Sequence, residues 1–339
     1  MEMLNSFSLL LANDLWTTII GGLAKWIVNY GWTIILFTVI LKLVLTPLDI
    51  GQRVASQKQS RVMALMQPEM AVLQAKYGND KEKLNQEQAK LYKKYNVNVG
   101  GMCFTLALTM ILTLVITFTL YGSLKGFGEE KLYSNYKELD ATYVQAQLDT
   151  TLSEDEIVNI VIEKYEEQSK QNSWLWVKNV WKSDTTTSQF VDFEDYAKHY
   201  KITGAEKEQA EDRYEIITKA INNKTGESNG YYILIILAVL VSFLTQFLSA
   251  KLMAPKGQKL NMTNKIMMAI VPITMVILVT TSNVVYTLYV IINSLMSAII
   301  STIISLIMKK KNKGDENPEQ ILKKMRKIEV VEYSRNYKK

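Results

Sequence analysis

Apolar residues in this chain are gathered into long runs that alternate with strongly polar segments. Five runs predict transmembrane helices, at residues 30–48, 101–124 and 231–250, and as two helices within 266–308 that are separated by a turn at Ser282–Asn283. A helix of about 20 apolar residues crosses a hydrocarbon core roughly 30 Å thick. The pattern therefore predicts an all-α, multi-pass membrane protein, and Pro47 predicts a break at the end of the first span.

The polar segments predict what lies between the spans. Residues 1–29 contain an amphipathic helix whose tryptophans suit a membrane interface, and residues 49–100 predict a helical hairpin that turns at Tyr77–Asp80. A large insert follows at 125–230, then a short connector at 251–265 and a basic tail at 309–339. The insert is expected to be helical and to fold alone.

Two helices of the insert have clear signals in the sequence. Ser153 and Glu156 match a capping box, which predicts a helix from there to about Gln171, and residues 205–222 predict another. Three tryptophans lie between these helices and indicate either a small core or an interface anchor: Trp174, Trp176 and Trp181. No catalytic arrangement is visible in the insert, and no enzymatic activity is expected.

Charge predicts the orientation of the chain. The net charge is +6, but Lys and Arg outnumber Asp and Glu by 9 to 5 in residues 49–100, by 4 to 0 in 251–265 and by 11 to 5 in 309–339. The insert reverses this balance, with 13 basic against 21 acidic residues. Because basic loops stay in the cytoplasm, we expect a cytoplasmic hairpin, connector and C-terminus, with the N-terminus and the insert outside.

Polar positions inside the spans are the candidate binding residues. Lys42 is the ionisable residue of the first span, and a cation near the bilayer centre costs about 2.5–3.5 kcal/mol on insertion scales. It either snorkels towards the membrane surface or faces a polar groove. The second span carries threonines at every fourth position, which share one helical face and serve either helix packing or a polar surface: Thr105, Thr109, Thr113 and Thr117. Later spans add Gln246, Tyr286, Tyr289, Asn293 and Ser297.

Cofactor chemistry is not indicated. The single cysteine, Cys103, excludes an intramolecular disulfide, and the single histidine, His199, has no nearby partner for a metal. No nucleotide-binding motif is present, so we expect no cofactor, no metal and no ATPase activity.

Several segments together resemble the YidC family of membrane protein insertases. The similarity spans the N-terminal helix, all five predicted spans and the hairpin, and it rests on these stretches: 42–48, 63–70, 73–80, 91–98, 100–104, 232–234, 247–249 and 289–293. The hairpin motifs occur in the family's order between two spans, which makes the resemblance specific. The insert has no counterpart in the short members of the family.

The resemblance implies a five-helix fold around a hydrophilic groove that opens to the cytoplasm and to lipid and is closed outside. Lys42 occupies the position of the family's groove cation, usually arginine, and keeps the charge without the bidentate fork. Thr105 and Thr109 replace a proline and a glutamine of the family, and Ile111 replaces a second proline. The implied client-binding set is Lys42, Thr105, Thr109, Thr113, Gln246, Tyr286, Tyr289, Asn293 and Ser297.

The implied function is insertion of nascent membrane proteins into the bilayer of a bacterial cell membrane. The implied partners are nascent membrane proteins and lipid, with the ribosome and the Sec translocon as further candidates, and no DNA. Two other hypotheses stay open: a transporter or channel that uses the polar cavity, and a membrane assembly protein that works through its insert. Reconstitution with a single-span client distinguishes them.

Overall fold

The structure is a computed structural model that describes residues 15–95, 99–253 and 262–311. Within these ranges, side chains are not described at 55–61, 63–65, 99–107, 109–110, 253, 262–269, 271–272 and 309–311. The first half of the predicted amphipathic helix, most of the connector and most of the basic tail therefore lie outside the described residues.

The described chain is helical. It contains no β-strand in these ranges and only two isolated bridges, between Trp174 and Val177 and between Ser188 and Ser228. The helices are α1 (Leu15–Ala24), α2 (Tyr30–Tyr77), α3 (Lys81–Lys94), α4 (Val99–Gln147), α5 (Glu154–Asn172), α6 (Phe193–Tyr200), α7 (Ala205–Thr225), α8 (Ile233–Met253), α9 (Met262–Thr281) and α10 (Val284–Lys311). The predicted all-α class is confirmed.

Four helical segments are long and apolar enough to cross a membrane. They are Tyr30–Val54 of α2, Ile111–Gln147 of α4, Ile233–Leu252 of α8 and Val284–Met308 of α10. Helix α9 lies where the fourth of the five spans is predicted, and half of its side chains lie outside those described. The five-span arrangement stays a prediction.

Two helices are longer than the spans they contain. Helix α2 continues through Pro47 and Pro68 to Tyr77, so the predicted break at Pro47 is wrong. Proline already has a helical φ and removes only one backbone donor, which a helix of 48 residues can lose without ending. Helix α4 likewise runs without interruption from the predicted second span into the predicted insert.

The chain forms two compact units. Among the described residues, the first combines 15–43, 115–244 and 267–296, and the second combines 44–95, 99–114, 245–253, 262–266 and 297–311. In the second unit, the two arms of the hairpin meet around Met66, Leu91 and Tyr95. The first unit has two hydrophobic cores, one among the apolar helices and one within the insert.

The core within the insert belongs to a part that we call the distal lobe, formed by the end of α4 from Leu132 together with α5, α6 and α7. The capping box of Ser153 and Glu156 is present at the start of α5, and α7 matches the predicted helix, so both predictions are confirmed. The lobe is rich in buried aromatic residues, and a bidentate ion pair between Arg213 and Asp140 links α7 to α4.

Candidate functional site

Lys42 lies on the protein-facing side of α2. Its side chain is 9% exposed, whereas the next residue, Leu43, is 58% exposed. One turn earlier, Thr38 is also buried and its hydroxyl donates to the Ile34 carbonyl at 2.6 Å. Positions 34, 38 and 42 share one face of the helix. A cation is thus enclosed by protein on a helix whose opposite face is apolar and exposed.

An aromatic cluster occupies the start of α10. Tyr286 and Tyr289 are buried, and the Tyr286 ring packs edge-on against Tyr121 of α4, with ring centroids 5.1 Å apart. The Tyr286 hydroxyl is buried and has no hydrogen-bond partner among the described residues. A buried hydroxyl without a partner costs free energy, so a water or a polar group entering this region would stabilise it.

The other predicted site residues are less enclosed. Asn293 is half-buried beside Ser294, whose hydroxyl lies 3.4 Å from that of Ser242 on α8. Ser297 and Gln246 are half-buried in the second unit, and Thr113, in the same unit, is exposed. The side chains of Thr105 and Thr109 lie outside those described. The structure thus groups Lys42, Tyr286, Tyr289 and Asn293 within the first unit and the remaining five within the second.

A set of polar contacts that the sequence did not reveal holds one segment of the insert against the apolar helices. We call residues 173–188 the proximal loop. Asp184 of this loop is 0% exposed and accepts hydrogen bonds from the backbone amides of Tyr231 and Leu234 and from the Trp176 indole, at 2.8, 2.6 and 3.3 Å. Its carboxylate therefore caps the N-terminus of α8.

The proximal loop caps α10 as well. The amides of Val284 and Val285 donate to the carbonyls of Lys182 and Val180, at 2.9 and 3.2 Å. Asn283 accepts from the Tyr286 amide and donates to the Leu124 carbonyl of α4. The orphan amides of a helix start are thus satisfied by a loop distant in sequence.

The start of helix α2 also contacts the proximal loop. Asn29 accepts from the amides of Gly31 and Trp32, and its amide group donates to the carbonyls of Lys170 and Ser173. Asn29 directly before an apolar run is a helix-start signal that sequence analysis could have used. Asp184 offered no such signal, because it lies 47 residues from Tyr231 in the chain.

The three tryptophans of the insert serve the core of the apolar helices. Trp181 is buried there between Tyr30 and Phe127, and its indole donates to Asn172 at 2.8 Å. Trp174 and Trp176 pack partly buried against the same core. Of the two alternatives left by the sequence, the structure supports a core position for Trp181.

The hairpin carries an ion pair of its own, outside the apolar segments. Glu69 of α2 accepts from the Lys94 ammonium at 2.7 Å and from the Tyr95 hydroxyl at 2.7 Å. These hydrogen bonds lower the pKa of the Glu69 carboxyl. The pair is solvent-exposed and links the two arms, which is a structural role.

Four long apolar helices, with a cation and buried hydroxyls on their protein-facing sides, define a multi-pass membrane protein. The chain belongs to the family described as 60Kd inner membrane protein, whose model matches residues 22–313. The resemblance found in the sequence is therefore confirmed.

Relatives of this chain carry the name membrane protein insertase YidC. The protein from Maridesulfovibrio salexigens is 43% identical over 98 residues, which is 29% of this chain and 17% of the relative. That from Clostridium tetani is 45% identical over 80 residues, which is 24% of this chain and 34% of the relative. The matched segments thus cover about a sixth to a third of the relatives' own length.

Proposed function

We propose that this protein is a membrane protein insertase, which receives a nascent hydrophobic segment in a hydrophilic intramembrane groove and releases it into the bilayer. Family membership over residues 22–313 carries this proposal, and the relatives named as insertases support it. The groove would be formed by five spans, with α9 as the fourth, and would open to the cytoplasm and to lipid.

The enclosed position of Lys42 supports a groove rather than a snorkelling lysine. Snorkelling carries the ammonium to the membrane surface, where it stays hydrated. A side chain that is 9% exposed, with Thr38 one turn away, supports the proposal of a polar groove over that of a hydrated lysine at the membrane surface. There it would attract the polar or acidic flank of a client that must cross the hydrocarbon.

The proposed mechanism follows from the bilayer as a solvent. Moving a polar flank through hydrocarbon is costly, because its groups lose their hydrogen bonds to water. A wet groove shortens the apolar path and supplies temporary partners in Lys42, the threonines of α4 and the polar side of α10. Partitioning of the client's apolar segment into lipid then supplies the driving force.

The topology proposed from charge places the insert outside a bacterial cell membrane and the hairpin and tail in the cytoplasm. The contacts of the proximal loop support part of it, because the N-termini of α2, α8 and α10 all meet this loop. These three ends must then lie on the same side as the insert. Lipid, the ribosome and the Sec translocon are proposed partners, in addition to nascent membrane proteins.

Reconstitution tests the proposed function. Purified protein in sealed vesicles should insert a small single-span client, detected by protection of its translocated flank from protease. Vesicles without the protein are the control. Solute leakage or uptake without client protection would favour a transporter or channel and overturn the proposal.

The ribosome proposal has its own test. The proposed contacts are the hairpin 49–100 and the tail 309–339. The tail has 11 basic residues, which suits a polyanionic partner, although such a run is also typical of a solvated end. Full-length protein and protein truncated before residue 312 are compared by co-sedimentation with ribosomes at rising salt. Equal binding by both forms would remove the tail from the interaction.

A further inference from the structure

One turn of the proximal loop presents an apolar tip. Trp174 and Val177 exchange both backbone hydrogen bonds, each 2.9 Å long, so that Leu175 and Trp176 form a two-residue turn. Leu175 has a left-handed φ of 52° and is 67% exposed. A left-handed backbone is unfavourable for leucine, and the described residues of the first unit leave most of its side chain uncovered.

Contacts fix this turn at the level where α2 enters its apolar segment. The amide group of Asn29 donates to the Ser173 carbonyl at 2.6 Å. The Trp174 ring packs directly over Gly31, where any side chain would collide with it, and edge-on against Trp32 at 5.9 Å. Tyr30 is the first residue of the candidate span, so the turn lies beside its first helical turn.

The surface around the turn is apolar and aromatic. Trp26, Val28 and Trp32 are exposed on the α2 side, and Tyr231 and Tyr232 are exposed just before α8. Tryptophan and tyrosine concentrate at the headgroup level of membranes. Further along α2, the exposed side chains are aliphatic, at Leu36 and Ile40, and continue the same surface into the span.

The charge of the loop differs from that of the rest of the insert. Residues 173–183 of the loop contain no acidic residue and two lysines, Lys178 and Lys182, and the one acid of the loop, Asp184, is buried, whereas the insert as a whole is strongly acidic. Anionic headgroups attract basic groups and repel acidic ones. An acid-free aromatic turn beside the start of a span matches a lipid interface better than open water.

We propose that the turn 174–177 inserts Leu175 into the lipid bilayer at the boundary between headgroups and acyl chains, which anchors the insert to the membrane. The bilayer is the occupant because the exposed apolar surface of the turn is continuous with the exposed apolar surface of α2. The anchor would hold the proximal loop over the helix ends that it caps. Its existence does not depend on the insertase activity.

Fluorescence quenching in lipid nanodiscs tests the proposal on the full-length chain. In a Cys103→Ser background, Leu175→Cys is labelled with an environment-sensitive fluorophore. Leu148→Cys is the matched control, since Leu148 is 71% exposed at the far end of α4 in the distal lobe. Lipids spin-labelled near the top of the acyl chain should quench the label at position 175 several-fold more than at 148, and aqueous iodide should quench in the opposite order.

Equal quenching of both positions by iodide, with no effect of the spin-labelled lipid, would place the turn in water and overturn the proposal. Protection of position 175 from both quenchers would place a protein surface there and would overturn it too. Unfolding of the labelled variant is checked by circular dichroism. If the fluorophore prevents folding, Leu175→Cys carries a smaller nitroxide label instead, and its accessibility to oxygen against a water-soluble nickel chelate, compared with Leu148→Cys, decides.

Discussion

The proximal loop and the distal lobe belong to the same polar insert, yet they are stabilised in different ways. The distal lobe has its own core of buried tyrosines and aliphatic residues, and its helices begin with caps from adjacent residues, such as Ser153 and Asp192. The proximal loop has almost no regular structure. Its polar groups are satisfied by the starts of α8 and α10, and Trp181 completes the core of those helices.

The difference shows that a boundary in sequence composition is not a boundary in packing. Composition separates the insert from the spans at about residues 125 and 230. Packing instead divides the insert, because Val177, Val180 and Trp181 are buried with the apolar helices. The proximal loop should therefore depend on the apolar helices for its structure, and the distal lobe should not.

Excision of the insert should separate the two regions most strongly, because it removes the partners of one region and leaves those of the other. We expect the isolated fragment 125–230 to be helical by circular dichroism, because the distal lobe keeps its core. The proximal loop should lose its order, since the partners of Asp184 beyond residue 230 and those of Trp181 in the spans are gone. Tryptophan emission should shift to the red relative to the full-length protein. A β-rich or coil spectrum would contradict an independent lobe.

Asp184→Ala should destabilise the full-length protein by roughly 2–4 kcal/mol, because it leaves one buried and two partly buried donors without their acceptor. Ser153→Ala, which removes an exposed cap in the distal lobe, should cost about 1 kcal/mol. Thermal unfolding of both purified variants in detergent gives the two shifts in Tm. Equal shifts in Tm would show that the capping contacts of the proximal loop and of the distal lobe contribute equally to stability.

Lys42→Ala should fold and accumulate but insert clients poorly. Loss of a charge-assisted contact between Lys42 and the client, worth about 1.5–3 kcal/mol, should slow insertion by roughly 10- to 100-fold. The rate should fall more for clients with acidic translocated flanks than for clients with neutral ones. Lys42→Arg should stay active, and Lys219→Ala, which removes an exposed cation of α7 in the distal lobe, is the control. An insertion assay with paired client tails decides, and full activity of Lys42→Ala on the acidic client would leave Lys42 as a membrane-edge lysine.

Alkaline pH should lower the stability of the distal lobe, whereas neutral pH should not. Burial raises the pKa of Tyr214 to about 12, with Asp192 adding to the shift. The neutral Tyr214 hydroxyl contributes its full stabilisation below pH 10, which is about the pKa of tyrosine in the unfolded chain. This stabilisation is lost as the pH rises from about 10 through 12, because the hydroxyl ionises at a lower pH in the unfolded chain than in the folded one. Tyr214→Phe should therefore lose less stability between pH 8 and pH 11 in thermal melts. If Tyr214→Phe loses as much stability as the unmodified protein between pH 8 and pH 11, the loss comes from other titrating groups.

Local patterns predicted much of the fold. Helix α5 was predicted from Ser153 and Glu156 and α7 from its periodicity, because these signals act within one helical turn. The apolar run at 30–48 predicted a span, which α2 contains. The end of that helix was predicted wrongly at Pro47, since one missing donor is a small loss for a helix that continues on both sides.

The candidate site also has features that local patterns predict and features that they do not. The amino-acid sequence was enough to predict a helical membrane protein of a known family, because long apolar runs and ordered motifs are local properties of the chain. It also singled out Lys42, since a cation in an apolar run is costly wherever it folds. The folded structure was needed to show that Lys42 faces protein, that Trp181 belongs to the core of the spans and that Asp184 caps α8. Burial and capping between segments tens of residues apart depend on which surfaces meet, and no local pattern encodes that meeting.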